Sequence, residues 1–110
     1  MAVQRKVLSI YIDQTDRWHD TSLSQAIVFT LERNGVAGAT VIEGTMGYGI
    51  HRRVHRKGLF GVSDEKPVLI LAVDEEDRLR SVIPQLIPMV KEGLITLHDV
   101  EVVLSAGIAP

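Results

Sequence analysis

Cysteine is absent from this chain of 110 residues, which excludes a disulfide framework, a thiolate metal site and a cysteine nucleophile, and fits a reducing compartment. Aromatic residues are scarce, at 5% with a single tryptophan, so the paired stacking platform of an RNA-recognition sheet is missing. Neither sign of charge dominates. The formal net charge is -2, and no global basic field marks a nucleic-acid or membrane-surface protein. No apolar run approaches the roughly 18 residues needed to span a bilayer, and Met1 to Lys6 carries no apolar signal-peptide core. These absences predict a cytoplasmic protein without nucleic-acid partners or direct membrane insertion. What remains is ordinary globular composition, 45% hydrophobic and 24% charged, and one folded domain is expected over residues 1-110.

The first apolar stretch, Val7 to Ile12, places Leu8, Ile10 and Ile12 on one face of a strand and Ser9 and Tyr11 on the other. After a polar segment from Asp13 to Asp20, Ser22 and Gln25 stand at capping-box spacing. Leu23, Ala26, Ile27 and Leu31 then form a helical stripe, and Gly35 supplies a stop, so a helix is expected over 22-34. Ala39 to Glu43 and Val68 to Val73 read as the second and third strands. The acidic run Asp74 to Asp77 suits the positive end of a helix dipole better than a metal site. A second helical pattern runs from there to Gly93, with a kink or break expected near Pro84 because proline removes a backbone donor. Val100 to Leu104 completes the set as a fourth strand, with Ser105 to Pro110 as a frayed tail.

The order β-α-β-β-α-β predicts an α+β fold, a ferredoxin-like sandwich with an antiparallel four-stranded sheet and both helices on one face. In that topology strands two and three form a hairpin, whose loop normally has about two to five residues. Here Gly44 to Pro67 separates them. A connection of that length in a small domain directs the search for chemistry to itself.

Within it, Gly44, Gly47 and Gly49 precede the cations Arg52, Arg53, Arg56 and Lys57. Glycine lets backbone N-H groups approach a ligand, and arginine offers a planar fork to phosphate oxygens. An anion site and a merely solvated flexible hairpin both fit this composition. The spacing is neither a P-loop nor a complete dinucleotide fingerprint. His51 and His55 stand four apart, but Arg52 occupies the place of a zincin's glutamate and the flanking cations oppose a divalent ion, so no metal is expected. His19 and His98 are isolated. Trp18 and Tyr48 could each stack on a base or cover an apolar edge. No acid pair and no nucleophile beside a base is visible, so the chain is not read as an enzyme.

The run Gly44-Thr45-Met46-Gly47-Tyr48-Gly49, followed by Arg52, His55 and Arg56, Pro67-Val68 and Val73-Asp74-Glu75-Glu76, resembles the DUF190 family of PII-like bacterial and archaeal proteins. The similarity extends from about Lys6 to Leu104 and includes Leu8 to Ile12, Gly93 to Thr96 and Asp99 to Val102. The resemblance implies a ferredoxin-like fold, a homotrimer of the PII kind, and a long loop corresponding to the T-loop of PII signalling proteins. It further implies an adenine nucleotide bound in clefts between subunits as ligand, with no required cofactor. Occupancy would be relayed to a protein partner, by analogy a transporter or a regulated enzyme.

Gly47, Gly49, Arg52, His55 and Arg56 match the family pattern as nucleotide-binding residues. The glycines would bend the chain around the ligand, the arginines would pair with phosphates, and His55 would donate a hydrogen bond. Gln14 and His98 depart from acids common in the family. PII proteins proper also carry late basic residues, yet none follows Lys91 here. AMP or ADP is therefore favoured over ATP with Mg²⁺. The loop from about Ile50 to Lys66 is expected to be mobile without ligand and ordered by it. The alternatives are a trimeric scaffold without nucleotide, similar to the copper-tolerance proteins of this fold, or an anion- or protein-docking module.

Overall fold

The computed structural model describes residues 2-48 and 66-107. The long strand β1 (Val3–Asp13) leads through a miniature hairpin, β2 (Arg17–Trp18) and β3 (Thr21–Ser22), into helix α1 (Leu23–Arg33). Then come β4 (Thr40–Glu43), β5 (Pro67–Asp74), helix α2 (Glu76–Leu86), a 3-10 turn (Ile87–Met89) and β6 (Leu94–Val102). The main sheet has the order β4-β5-β1-β6, with every neighbouring pair antiparallel. This is the ferredoxin-like α+β arrangement expected from the element order.

Alternation along the two central strands decides which face the helices cover. Leu8, Ile10 and Ile12 of β1 and Val68, Ile70 and Ala72 of β5 are buried. They pack with Leu23, Ile27 and Leu31 of α1, Leu79, Val82 and Leu86 of α2, and Met89. The other face is also rich in apolar side chains. Register places Ile42, Leu69, Tyr11 and Leu94 in one row across all four strands, and Thr40, Leu71, Ser9 and Thr96 in the next. Tyr11, Ile42 and Leu94 of the first row are each close to half exposed, whereas the small Ser9 of the second row is buried.

Helix α1 begins and ends as its sequence requires. Ser22 Oγ accepts the Gln25 N-H at 3.2 Å, and the Gln25 side chain takes a hydrogen bond from the Thr21 hydroxyl at 2.9 Å. At the other end Gly35 adopts φ 79°, Gly35 N-H donates to Glu32 O, and Val36 N-H donates to Leu31 O, the pair of bonds of a Schellman stop.

Three local expectations are revised. The polar segment after β1 contains the β2-β3 hairpin, whose turn places His19 at φ 56°. Helix α2 passes through Pro84 and breaks two residues later, at Leu86, where the 3-10 turn containing Pro88 takes over, so the break expected near Pro84 is present and the helix stops short of Gly93. The last strand begins at Leu94 rather than Val100 and stops at Val102 rather than Leu104. It pairs with nearly the full length of β1, from Tyr11↔Leu94 to Val3↔Val102, and so recruits Thr96, His98 and Asp99, which a local pattern does not mark as strand. Val103 and Leu104 are exposed beyond it.

The acidic run is also divided between two elements. Asp74 closes β5 and is 7% exposed, while Glu75 occupies the N-cap of α2 without a side-chain capping bond. The Asp74 carboxylate accepts the backbone N-H of Ala37 at 2.9 Å and of Glu75 at 2.7 Å. Its burial is thus offset by hydrogen bonds that tie the α1-β4 connection to the start of α2.

Candidate functional site

At one end of the open sheet face lies a cavity of about 560 Å³. Its floor is the row Ile42, Leu69, Tyr11 and Leu94, and its end wall is made by Gly44, Gly47, Tyr48, Pro67, Asp13 and Gly93. The strands meet these positions because the side-chain period of two brings Tyr11 and Asp13 to the face opposite Leu8, Ile10 and Ile12.

Backbone proximity shapes the wall. Gly44 N-H donates to Pro67 O at 2.7 Å, and a Cβ on Gly44 would stand 2.8 Å from Pro67 Cγ. A Cβ on Gly47 would sit 3.4 Å from the same atom, at van der Waals contact, so the chain passes close to the proline ring at both glycines. Across the cavity, a Cβ on Gly93 would fall 2.3 Å from Tyr11 O and 2.9 Å from Val90 Cγ1. No side chain fits there without a backbone shift, so glycine lets the chain after the 3-10 turn reach the end of β1. The Gln14 N-H donates to Lys66 O at 2.9 Å. Both ends of the long connection are therefore anchored beside the cavity.

Of the five residues matched to nucleotide binding from the sequence, Gly47 lines this cavity, as do Gly44 and Tyr48, which the sequence of the connection also brings to notice. Gly49, Arg52, His55 and Arg56 lie outside the described residues. Neither departure from the family pattern lines it. Gln14 contributes the backbone bond to Lys66, and His98 lies four residues along β6 from Leu94, a rise of about 13 Å. Sequence reasoning missed Tyr11, Leu69 and Leu94 as site residues and took Gly93 only as a helix stop. The available signal was the second face of the strands, where apolar residues recur out of phase with the core.

Among the described residues, the cavity wall offers two phenols, one carboxylate from Asp13 and exposed backbone around aliphatic side chains. Such a surface suits a flat, largely apolar group with a few polar edges. It presents no imidazole and no pair of carboxylates for general acid-base work. No group of three or more His, Cys, Asp or Glu side chains arranged to hold a metal occurs among the described residues.

Among the described residues, a cluster of charges lies at the opposite end of the sheet. Lys6 on β1 donates to Asp99 on β6 and stands 4.0 Å from Glu76 of α2, whose carboxylate also accepts from Arg80 at 2.6 Å. The hydrogen bond to Asp99 holds the Lys6 ammonium above its ordinary pKa, and the same bond holds the Asp99 carboxyl below the usual range. Glu76 is lowered first by its hydrogen bond from Arg80 and then by the charge on Lys6.

The DUF190 family model, described as "Uncharacterized ACR", matches residues 5–102. A UPF0166 protein of Methanocaldococcus jannaschii is 36% identical over 101 residues, covering 91% of this chain and 93% of the relative. Among solved structures, CPII of Thiomonas intermedia K12 bound to ADP, AMP and acetate is similar with a TM-score of 0.68 at 20% identity, over 93% of this chain and 91% of that one. CPII bound to ADP and bicarbonate gives a TM-score of 0.66 at 20% identity, over 99% and 98% of the two chains. At that identity the structural likeness speaks for the fold, while the family match rests on the sequence over nearly the whole chain. The chain is thus a DUF190 protein with the PII-like ferredoxin fold.

Proposed function

We propose that this protein is a PII-like regulator that binds an adenine nucleotide in the cavity at the end of its open sheet face. The observation that carries the reading is the position of that cavity. An apolar pocket of about 560 Å³, within the range of small-molecule sites and walled by closely approaching glycine backbone, sits where a long cation-bearing connection leaves and re-enters the sheet. The related CPII structures bound to ADP and AMP support the same ligand class.

The base would occupy the apolar floor. Phosphates would meet Gly49, Arg52 and Arg56 of the connection, with His55 as a further donor. AMP and ADP are favoured over ATP because no cation follows Lys91 to hold a third phosphate. The connection would report occupancy to a protein partner, since an anion relieves the mutual repulsion of Arg52, Arg53, Arg56 and Lys57. Binding and relay fit a wall that, among the described residues, is made of aliphatic side chains, phenols and glycine backbone with a single carboxylate.

The open face supports a homotrimer. Val7, Leu71 and Val73 continue the apolar surface beyond Ile42, Leu69, Tyr11 and Leu94, and covering it with other copies would turn the half-open cavity into a cleft between subunits. Light scattering at micromolar concentration is expected to give a trimer mass, and a monomer mass would remove this part of the reading.

Calorimetric titration with AMP, ADP and ATP tests the ligand. Arg52→Ala should weaken AMP or ADP binding about ten- to one-hundred-fold, the loss expected of one charge-assisted contact, without lowering thermal stability. Wild-type affinity in both Arg52→Ala and Arg56→Ala would overturn the phosphate assignment. Absence of any adenine-nucleotide binding would overturn the function.

A further inference from the structure

The chain contains two tyrosines, Tyr11 and Tyr48, and both line the same cavity. They reach it by different routes. Tyr11 is carried by the central strand β1 and projects from the open face, 45% exposed. Tyr48 ends the strap of residues 44-48 that leaves β4 and passes close to Pro67 at Gly44 and Gly47, and it is 88% exposed. The remainder of the floor, Ile42, Leu69 and Leu94, is aliphatic. Trp18 and His19 form the aromatic ring contact seen among the described residues, and neither of them lines this cavity.

Packing of the monomer does not account for Tyr48. A ring so exposed gains little from burial, and the five-residue strap that carries it could have ended in any polar residue. An exposed aromatic poised over an apolar cavity gains most when a planar group covers it. Stacking uses the base, since every base has a π-face, whereas the phosphates are served by charge.

Resting on the nucleotide-binding reading above, we propose that Tyr48 is the stacking platform for the base, with Tyr11 forming the opposite wall of the base slot. The assignment places an aromatic slot at the sheet end for the base alone. It also gives the strap a role: Gly44, where a Cβ would stand 2.8 Å from Pro67 Cγ, permits the close approach to the proline from which the strap carries Tyr48 to the slot.

The test is AMP titration of the intact protein and of two variants, with circular dichroism to verify the fold. Tyr48→Leu keeps an apolar side chain but removes the ring, and should weaken AMP about five- to 150-fold. Tyr48→Phe keeps the ring and should bind within about twofold of the wild type. In the wild-type complex, nuclear Overhauser contacts are expected between tyrosine ring protons and the adenine H2 or H8 proton, and Tyr48→Leu should lose part of them.

Wild-type AMP affinity in Tyr48→Leu would overturn the platform while leaving the nucleotide reading intact. An equal loss in Tyr48→Phe and Tyr48→Leu would also overturn it, assigning the effect to the hydroxyl. Failure of the wild-type protein to bind any adenine nucleotide would instead overturn the underlying function, and the platform with it.

Discussion

The two ends of the same sheet are built on opposite principles. Where β1 begins, Arg5 and Lys6 stand among Glu75, Glu76, Arg80 and Asp99, a solvent-facing lattice joining β1, β6 and α2. Where β1 ends, Tyr11 and Asp13 border a cavity whose walls are aliphatic side chains, phenols and glycine backbone. Charges at the first end find partners within the chain, and water screens them, so they contribute little to stability and leave nothing to offer a ligand. Apolar surface at the second end finds no partner within the described chain, and that is what makes it a place for binding.

The comparison breaks most visibly at Gly93. Gly93→Ala puts a Cβ against the Tyr11 carbonyl, a backbone atom that cannot move aside, and should cost about 3 kcal/mol. Urea denaturation measures the loss, and wild-type stability would mean that the turn before β6 shifts freely and that close packing does not define the cavity end.

At the charged end the buried member should matter more than the exposed ones. Asp74→Ala strands the Ala37 and Glu75 N-H groups and is expected to cost about 1–3 kcal/mol by the same measurement, with nucleotide affinity unchanged. A stability loss no greater than that of an exposed carboxylate would show that water replaces Asp74 and that its burial is incidental.

The smallest effect belongs to Asp99→Asn, which removes the exposed partner of Lys6. The contribution of Asp99 and Glu76, whose folded pKa values are depressed, is present above the unfolded carboxylate range and is lost as pH falls through the folded values. That of Lys6, whose folded pKa is raised, is present below the unfolded lysine value and is lost as pH rises through the folded one. Asp99→Asn should therefore lower stability slightly at neutral pH, with the difference vanishing in acid or in high salt. A difference that persists in acid would assign the effect to the shape of β6 instead of to charge.

Local sequence signals served the elements unevenly. The α1 boundaries were legible because Ser22, Gln25 and Gly35 act within one helical turn. The core faces of β1 and β5 were legible because alternation is a property of the strand itself. Strand β6 was legible only in part, since Thr96, His98 and Asp99 become strand by pairing with β1, a partner some ninety residues away. The β2-β3 hairpin was missed because two residues per strand carry no periodicity.

By itself, then, the sequence determined the α+β class, the strand and helix order, the helix caps, the side of the sheet that forms the core and, through its motifs, the DUF190 family. These depend on residue type and short-range spacing, which the unfolded chain already contains. Only the tertiary structure decided that Tyr11 from one strand, Tyr48 from a strap, Leu94 from another strand and Gly93 from a turn share one cavity, and that Asp74 serves a loop instead of capping its helix. Those relations depend on register between segments far apart in the chain, and register is set by the whole sheet closing on its core.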